Sequence, residues 1–78
     1  MREKKPCYVV TYHTTAEAMA TEKLCADLGL PGRLIPAPRS VSADCGIAWC
    51  CPVEDGERVR AALEAAGIET AGAGEMLL

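Results

Sequence analysis

Residues 7–29 have the sequence CYVVTYHTTAEAMATEKLCADLG, which contains the signals for a strand, a helix start and a helix end. The first eight of these residues are rich in Tyr, Val and Thr, which favour extended structure. Thr14 or Thr15 then offers a side-chain oxygen for a helix N-cap, with Glu17 in the first turn. Gly29 suits the left-handed position that ends many helices. The stretch therefore predicts a strand followed directly by a helix.

The apolar positions of this helix predict which of its faces is buried. Ala16, Ala20, Leu24 and Leu28 recur at a spacing of four residues, and Cys25 lies beside them. This spacing is typical of an amphipathic helix that packs on a core. We expect this stripe to face the sheet.

The rest of the chain continues with strands and one more helix. Prolines confine a second short strand, over 33–38, to a sheet edge, and the apolar run 47–53 predicts a buried third strand closed by a proline. Acidic residues at 54–55 begin a second helix, and a glycine at its end stops it. Its apolar stripe and terminal glycine are Val59, Ala62, Leu63, Ala66 and Gly67. A short last strand is expected around residues 75–78.

The order of these elements is β-α-β-β-α-β, which is typical of the ferredoxin-like fold. We predict an α+β two-layer sandwich, an antiparallel sheet with two helices on one face. The chain has 78 residues, which predicts a single domain over 1–78. A core of this size supplies only about 3–5 kcal/mol of net stability. We therefore expect the open face of the sheet to bind a protein partner or a second copy of the chain as a homodimer.

Charge and hydropathy exclude several classes of partner. The net charge is −3, and the eight Lys and Arg residues form no basic stripe beside aromatic residues, so we predict no binding to nucleic acid. No run of 18 apolar residues is present to cross a membrane. The charged start of the chain is followed by too few apolar residues for a secretory signal, which predicts a cytoplasmic protein.

The five cysteines are odd in number and lack the spacing of a disulfide framework, so we expect them to be reduced. Zinc sites need paired Cys-x-x-Cys motifs or histidine partners, and His13 is the only histidine. We predict neither a metal ion nor a cofactor.

The loop between the second and third strands, PAPRSVSADCG over 36–46, combines a thiol, an arginine and hydroxyl groups. An arginine and backbone N–H groups lower the pKa of a thiol, and the thiolate is its reactive form. Gly46 lets the backbone curl behind the sulfur and form an anion nest. Cys45, supported by Arg39, can thus hold a negatively charged persulfide or selenide. The alternative is that Cys45 fills a turn and Arg39 is solvated.

The fold places this loop at the end of the sheet where the first helix starts. Cys45 should therefore lie near Thr14, Thr15 and the positive N-terminus of that helix. His13 is close enough to act as a base for the thiol, although a histidine at a strand end is more often a surface residue. Cys7 should lie about 20 Å away, at the other end of the first strand.

The sequence also resembles a known family. The string IPAPRSVSADCG over 35–46, the strand end YHTT over 12–15 and the helix with Glu22 and Leu24-Cys25 are similar to the selenium/sulfur carrier protein-like family. The resemblance covers roughly residues 8–68. It implies a cytosolic bacterial protein in which Cys45 is the attachment point for sulfur or selenium, with Arg39 and Ser42 as its neighbours. It also implies protein partners that donate and accept the atom.

The other thiols have structural interpretations. Cys50 and Cys51 point to opposite faces if they lie on a strand, so we expect one in the core and one exposed. Either is a candidate resolving thiol for Cys45. However, a partner five or six residues along a strand lies about 16–20 Å from Cys45, which favours structural roles for both. Cys25 is expected in the core, as is Trp49.

Two functions of different classes therefore remain. The first is a thiol carrier that shuttles sulfur or selenium on Cys45. The second is a non-catalytic interaction or regulatory module that uses the open sheet face, with Cys45 structural. A weaker third is soft-metal binding by Cys45 together with Cys50 or Cys51. The sequence does not decide whether any reaction is catalysed.

Overall fold

The structure, a computed structural model, describes residues 5–38 and 46–77. Its elements are β1 (Pro6–Thr11), α1 (Thr15–Leu28), β2 (Arg33–Pro36), β3 (Ile47–Pro52), a 3-10 turn (Val53–Asp55), α2 (Gly56–Ala66) and β4 (Gly72–Leu77). The four strands form one antiparallel sheet in the order β2-β3-β1-β4. This arrangement confirms the predicted α+β ferredoxin-like fold. That one domain spans 1–78, and that two chains associate through the open face, stay predictions.

The ends of both helices follow from the local sequence. The Glu17 N–H donates to the Thr14 hydroxyl at 3.3 Å, and the Glu17 carboxylate accepts from the Thr14 N–H at 3.2 Å. This reciprocal pair is a capping box, which satisfies backbone donors that a helix start leaves open. Gly29 and Gly67 end the helices with φ of 72° and 73°. Gly tolerates this left-handed conformation without the steric cost that a Cβ would add. The predicted N-cap and both helix ends are confirmed.

The two faces of the sheet have different surroundings. One face packs against both helices, and the core between these layers comprises Val10, Tyr12, Ala18, Cys25, Trp49, Cys51, Val59 and Leu63. The other face carries the alternate residues of each strand. Among the described residues, no helix is long and apolar enough to cross a membrane.

The buried face of α1 differs from the predicted one. Ala18, Thr21 and Cys25 are fully buried, whereas Ala16 and Ala20 are exposed and Leu28 retains 55% exposure. The prediction missed this face because it contains a threonine. The Thr21 hydroxyl donates to the Glu17 carbonyl one turn earlier, at 3.0 Å. This bond satisfies the hydroxyl inside the helix, so a polar side chain can face the core.

Several strand boundaries also differ. β1 ends at Thr11, because Thr14 leaves the strand to cap α1. β2 ends at Pro36 rather than 38, and β4 begins at Gly72 rather than 75. β4 pairs with β1 residue by residue over its whole length, and these backbone hydrogen bonds compensate for the poor strand propensity of its glycines. In α2, Val59 and Leu63 are buried as predicted, but Ala66 is exposed.

Trp49 lies in the core, as predicted, and packs against the backbone of Gly32. The indole is 2% exposed, and its buried Nε1 has no hydrogen-bond partner among the described residues. A Cβ added to Gly32 would lie 2.5 Å from the indole Cζ2, and Gly32 has a φ of 142°. Glycine is therefore needed at this position for two reasons, the close approach of the ring and the backbone conformation.

We expect Gly32→Ala to lower the free energy of unfolding by at least about 2 kcal/mol, because backbone strain and the clash with Trp49 add. Gly29→Ala is the matched control, since Gly29 is also left-handed but a Cβ there meets nothing within 4 Å. It should cost only about 1 kcal/mol. Urea unfolding measures both changes, and Trp49 fluorescence of the native state should change only in Gly32→Ala. Equal effects of the two variants would contradict the role of the indole contact.

Candidate functional site

The predicted site residues divide between the described and undescribed parts of the chain. Cys45, Arg39 and Ser42 lie outside the described residues. Gly46, Thr14 and Thr15 lie within them, and they lie at the same end of the sheet. Pro36 pairs with Ile47 and Thr11 with Ala48, so β2 and β1 end where β3 begins. The residues that flank the loop therefore define the described part of the site.

Two backbone groups join the ends of the loop. The Ala37 N–H donates to the Gly46 carbonyl at 2.9 Å, directly after the last pair of β2 and β3. Gly46 has a φ of 73°, and a Cβ there would meet nothing within 4 Å. Glycine at this position therefore serves the left-handed backbone rather than a close contact. The loop leaves and re-joins the sheet at one point, next to the start of α1.

The N-terminus of α1 is already occupied by a carboxylate. Glu17 accepts from the Thr14 N–H and also from the His13 N–H, at 3.1 Å. The Thr14 hydroxyl is used in the cap, while the Thr15 side chain is exposed. A negative charge at this position opposes the attraction that the helix dipole offers to a second anion. The sequence analysis used Glu17 only as a signal for the helix start and missed this consequence.

Two of the cysteines are core residues with weakly acidic thiols. Cys25 and Cys51 are 0% and 2% exposed. Burial raises the pKa of the Cys25 thiol. The pKa of Cys51 is raised to about 11, mainly by burial and to a smaller extent by the nearby Cys50. Both thiols are therefore protonated near neutral pH, which makes them poor nucleophiles.

Cys50 faces away from the helices, as the alternation along β3 requires, but it is not exposed. It retains only 8% exposure, so the expectation that one of the adjacent thiols is exposed is wrong. Burial and a side-chain hydrogen bond with Cys7 raise the pKa of Cys50, while Arg33 on β2 lowers it. The sequence analysis missed the contact between Cys7 and Cys50, because it depends on how β1 pairs with β3.

No group of three or more His, Cys, Asp or Glu side chains that could hold a metal ion occurs in the part of the chain that the structure describes. His13 is exposed beside the α1 cap. Its service as a base for Cys45 stays a prediction, as do the contacts of Thr14 and Thr15 with a bound anion.

A protein-family model matches residues 7–73 of the 78-residue chain. The matching family is described as "Putative Se/S carrier protein-like". The matched range contains the loop and both helices. No curated protein matches the chain.

The raised thiol pKa values predict how stability depends on pH. The Cys51 thiol has its pKa raised from 9.0 to about 11 in the folded protein, so the unfolded chain loses this proton first as the pH rises. The free energy of unfolding should therefore fall between these two pH values. Urea unfolding at a series of pH values measures the slope, which should be smaller in Cys51→Ala. A free energy that rises over this range would contradict the assignment.

Proposed function

Because the chain belongs to the selenium/sulfur carrier protein-like family, we propose that it carries one sulfur or selenium atom on Cys45 and passes it to a partner enzyme. The family match over residues 7–73 is the observation that carries this proposal. The protein is then a shuttle that works in the bacterial cytoplasm, where thiols stay reduced. One protein loads it and another unloads it.

The transfer chemistry is thiol exchange without net oxidation. The Cys45 thiolate attacks the outer sulfur of a donor persulfide, a new S–S bond forms to Cys45, and the donor's own S–S bond breaks. The donor leaves as a thiolate, which takes up the proton that Cys45 released. An acceptor thiolate then attacks the outer sulfur on Cys45 in the same way. A selenium atom in place of the outer sulfur is transferred by the same steps.

The geometry of the flanking residues supports a site at this end of the sheet. The bond between Ala37 and Gly46 holds the two ends of the loop beside the start of α1. In the proposed site, Arg39 offsets the negative charge of the cargo, Ser42 and Gly46 offer hydrogen-bond donors, and Thr14 and Thr15 at the helix start lie next to the sulfur.

Three of the other four thiols support selectivity for Cys45. The pKa values of Cys25, Cys50 and Cys51 are raised, and all three thiols are buried. A donor persulfide therefore meets little competition from them, because protonated buried thiols attack slowly.

Intact-protein mass spectrometry after incubation with a persulfide donor tests the proposal. We expect one added sulfur atom per chain, mapped to Cys45 by peptide digestion, and one added selenium atom when the donor carries selenium. Cys45→Ser should abolish the adduct. Cys7→Ser is the matched control, because Cys7 lies at the opposite end of β1, and it should leave the adduct unchanged. An adduct that survives in Cys45→Ser, or that spreads evenly over all five cysteines, would overturn the proposal.

The carboxylate at the start of α1 is expected to raise the pKa of the Cys45 thiol. Glu17→Gln keeps a capping side chain but removes the carboxylate, so the pKa of Cys45 should fall and its alkylation near neutral pH should accelerate. Arg39→Gln should have the opposite effect, because it removes the cation that stabilises the thiolate. The pH dependence of alkylation measures both. Glu22→Gln, on the exposed side of the same helix, is the charge-matched control, and equal effects at Glu17 and Glu22 would contradict the proposed location.

A further inference from the structure

Three sulfur-containing side chains lie at neighbouring positions on the sheet face that points away from the helices. Cys7 on β1 pairs with Met76 on β4, and Val9, two residues further along β1, pairs with Cys50 on β3. Residues that pair across strands, and residues two apart along one strand, share a face of the sheet. Cys7, Cys50 and Met76 therefore form one group, called here the sulfur cluster.

The two thiols of the sulfur cluster lie close together but are poorly placed for a disulfide. Hydrogen bonding with the Cys7 side chain raises the pKa of the Cys50 thiol, and the Cys7 thiol donates to the Lys5 carbonyl at 3.6 Å. Cys7 and Cys50 are diagonal rather than direct partners, and diagonal positions lie about 7–8 Å apart. Two cysteines bridge directly only when their Cα atoms are closer than about 7 Å. A single atom held between the two sulfurs suits this spacing better than an S–S bond.

The surroundings of the sulfur cluster indicate which atom that is. Arg33 on β2 pairs directly with Cys50 and supplies a positive charge on the same face. Two thiolates and a monovalent cation together carry one negative charge, which this guanidinium offsets. Met76 is half-buried and lines a groove along β1 and β4, and its flexible side chain can bring a thioether sulfur toward the thiols.

The donor types exclude the more common metal ions. Structural zinc takes four ligands, mostly thiolate or imidazole, and magnesium or calcium take oxygen ligands. Two thiols and a thioether are soft donors of the kind that bind Cu(I), and three protein donors fall short of the four that structural zinc takes. Cys50 is only 8% exposed, which limits the access of water to an ion bound there.

We propose that Cys7 and Cys50 bind one soft monovalent cation of the Cu(I) type, with Met76 as the third donor. The ion displaces the two thiol protons, two metal–sulfur bonds form, and no electron is transferred. The site uses neither Cys45 nor the loop, so it does not depend on the proposed carrier function. It also differs from a metal held by Cys45 with Cys50 or Cys51, because Cys51 lies in the core on the other face of β3.

Titration of the full chain with Cu(I), in competition with a chromophoric Cu(I) chelator and without oxygen, tests the proposal. All variants carry Cys45→Ser, which removes the loop thiol and with it any signal from the carrier site. We expect one ion per chain, with two protons released per ion. Cys7→Ser should weaken binding by more than about 100-fold, since loss of a ligand costs more than loss of a residue that only orients a ligand. Met76→Leu should weaken binding by about tenfold.

Three further measurements distinguish the loss of a ligand from misfolding and identify the ligand atoms. Cys7 is only half-buried, so Cys7→Ser is expected to fold, and its unfolding curve checks this. Cys25→Ala, a thiol removed from the core, is the control that should keep full affinity. X-ray absorption at the copper edge should show sulfur ligands only. Unchanged affinity in Cys7→Ser, an equal loss in Cys25→Ala, nitrogen or oxygen ligands, or loss of binding on introducing Cys45→Ser alone would each overturn the proposal.

Discussion

The register of β1 between its two neighbours is the constraint on which the rest of the structure depends. Val9 pairs with Cys50 on one side and with Gly74 on the other, and this pairing decides which side chain of each strand enters the core. If β3 slipped by one residue against β1, every side chain of β3 would move to the opposite face of the sheet. Cys51 would then leave the core and Cys50 would enter it. The chemistry of two adjacent thiols is thus determined by backbone hydrogen bonds rather than by the thiols themselves.

Features that depend on a few consecutive residues could be predicted from the sequence. Features that depend on pairing with another strand, or on a hydrogen bond to the preceding turn of a helix, could not. The capping threonine at 14 and the glycines that end each helix act within a few residues, so their roles followed from sequence alone. The buried face of α1 was misjudged because Thr21 satisfies its hydroxyl on the carbonyl of Glu17, which hydropathy does not register. The contact of Cys7 with Cys50 needs the register of β1 and β3, and the full length of β4 needs its pairing with β1. The position of the two ends of the loop could be predicted because the order of strands fixes the end of the sheet at which β2 ends and β3 begins.

The candidate site combines two opposing electrostatic influences. The first turn of α1 carries a partial positive charge. The Glu17 carboxylate, which completes the cap, places a full negative charge beside it. A helix start that is stabilised by its own carboxylate is a weaker attractor for an external anion than the dipole alone would be. A negatively charged cargo in the proposed carrier would therefore gain less from this helix start than from the dipole alone.

The hydrogen bond between the Ala37 N–H and the Gly46 carbonyl follows directly on the last pair of β2 and β3. The two ends of the connection between these strands therefore meet at the sheet. Closing a loop of twice the length costs only about 0.6 kcal/mol of additional entropy. As far as chain entropy is concerned, the length of this connection can therefore vary, whereas the register of β2 with β3 on either side of it cannot.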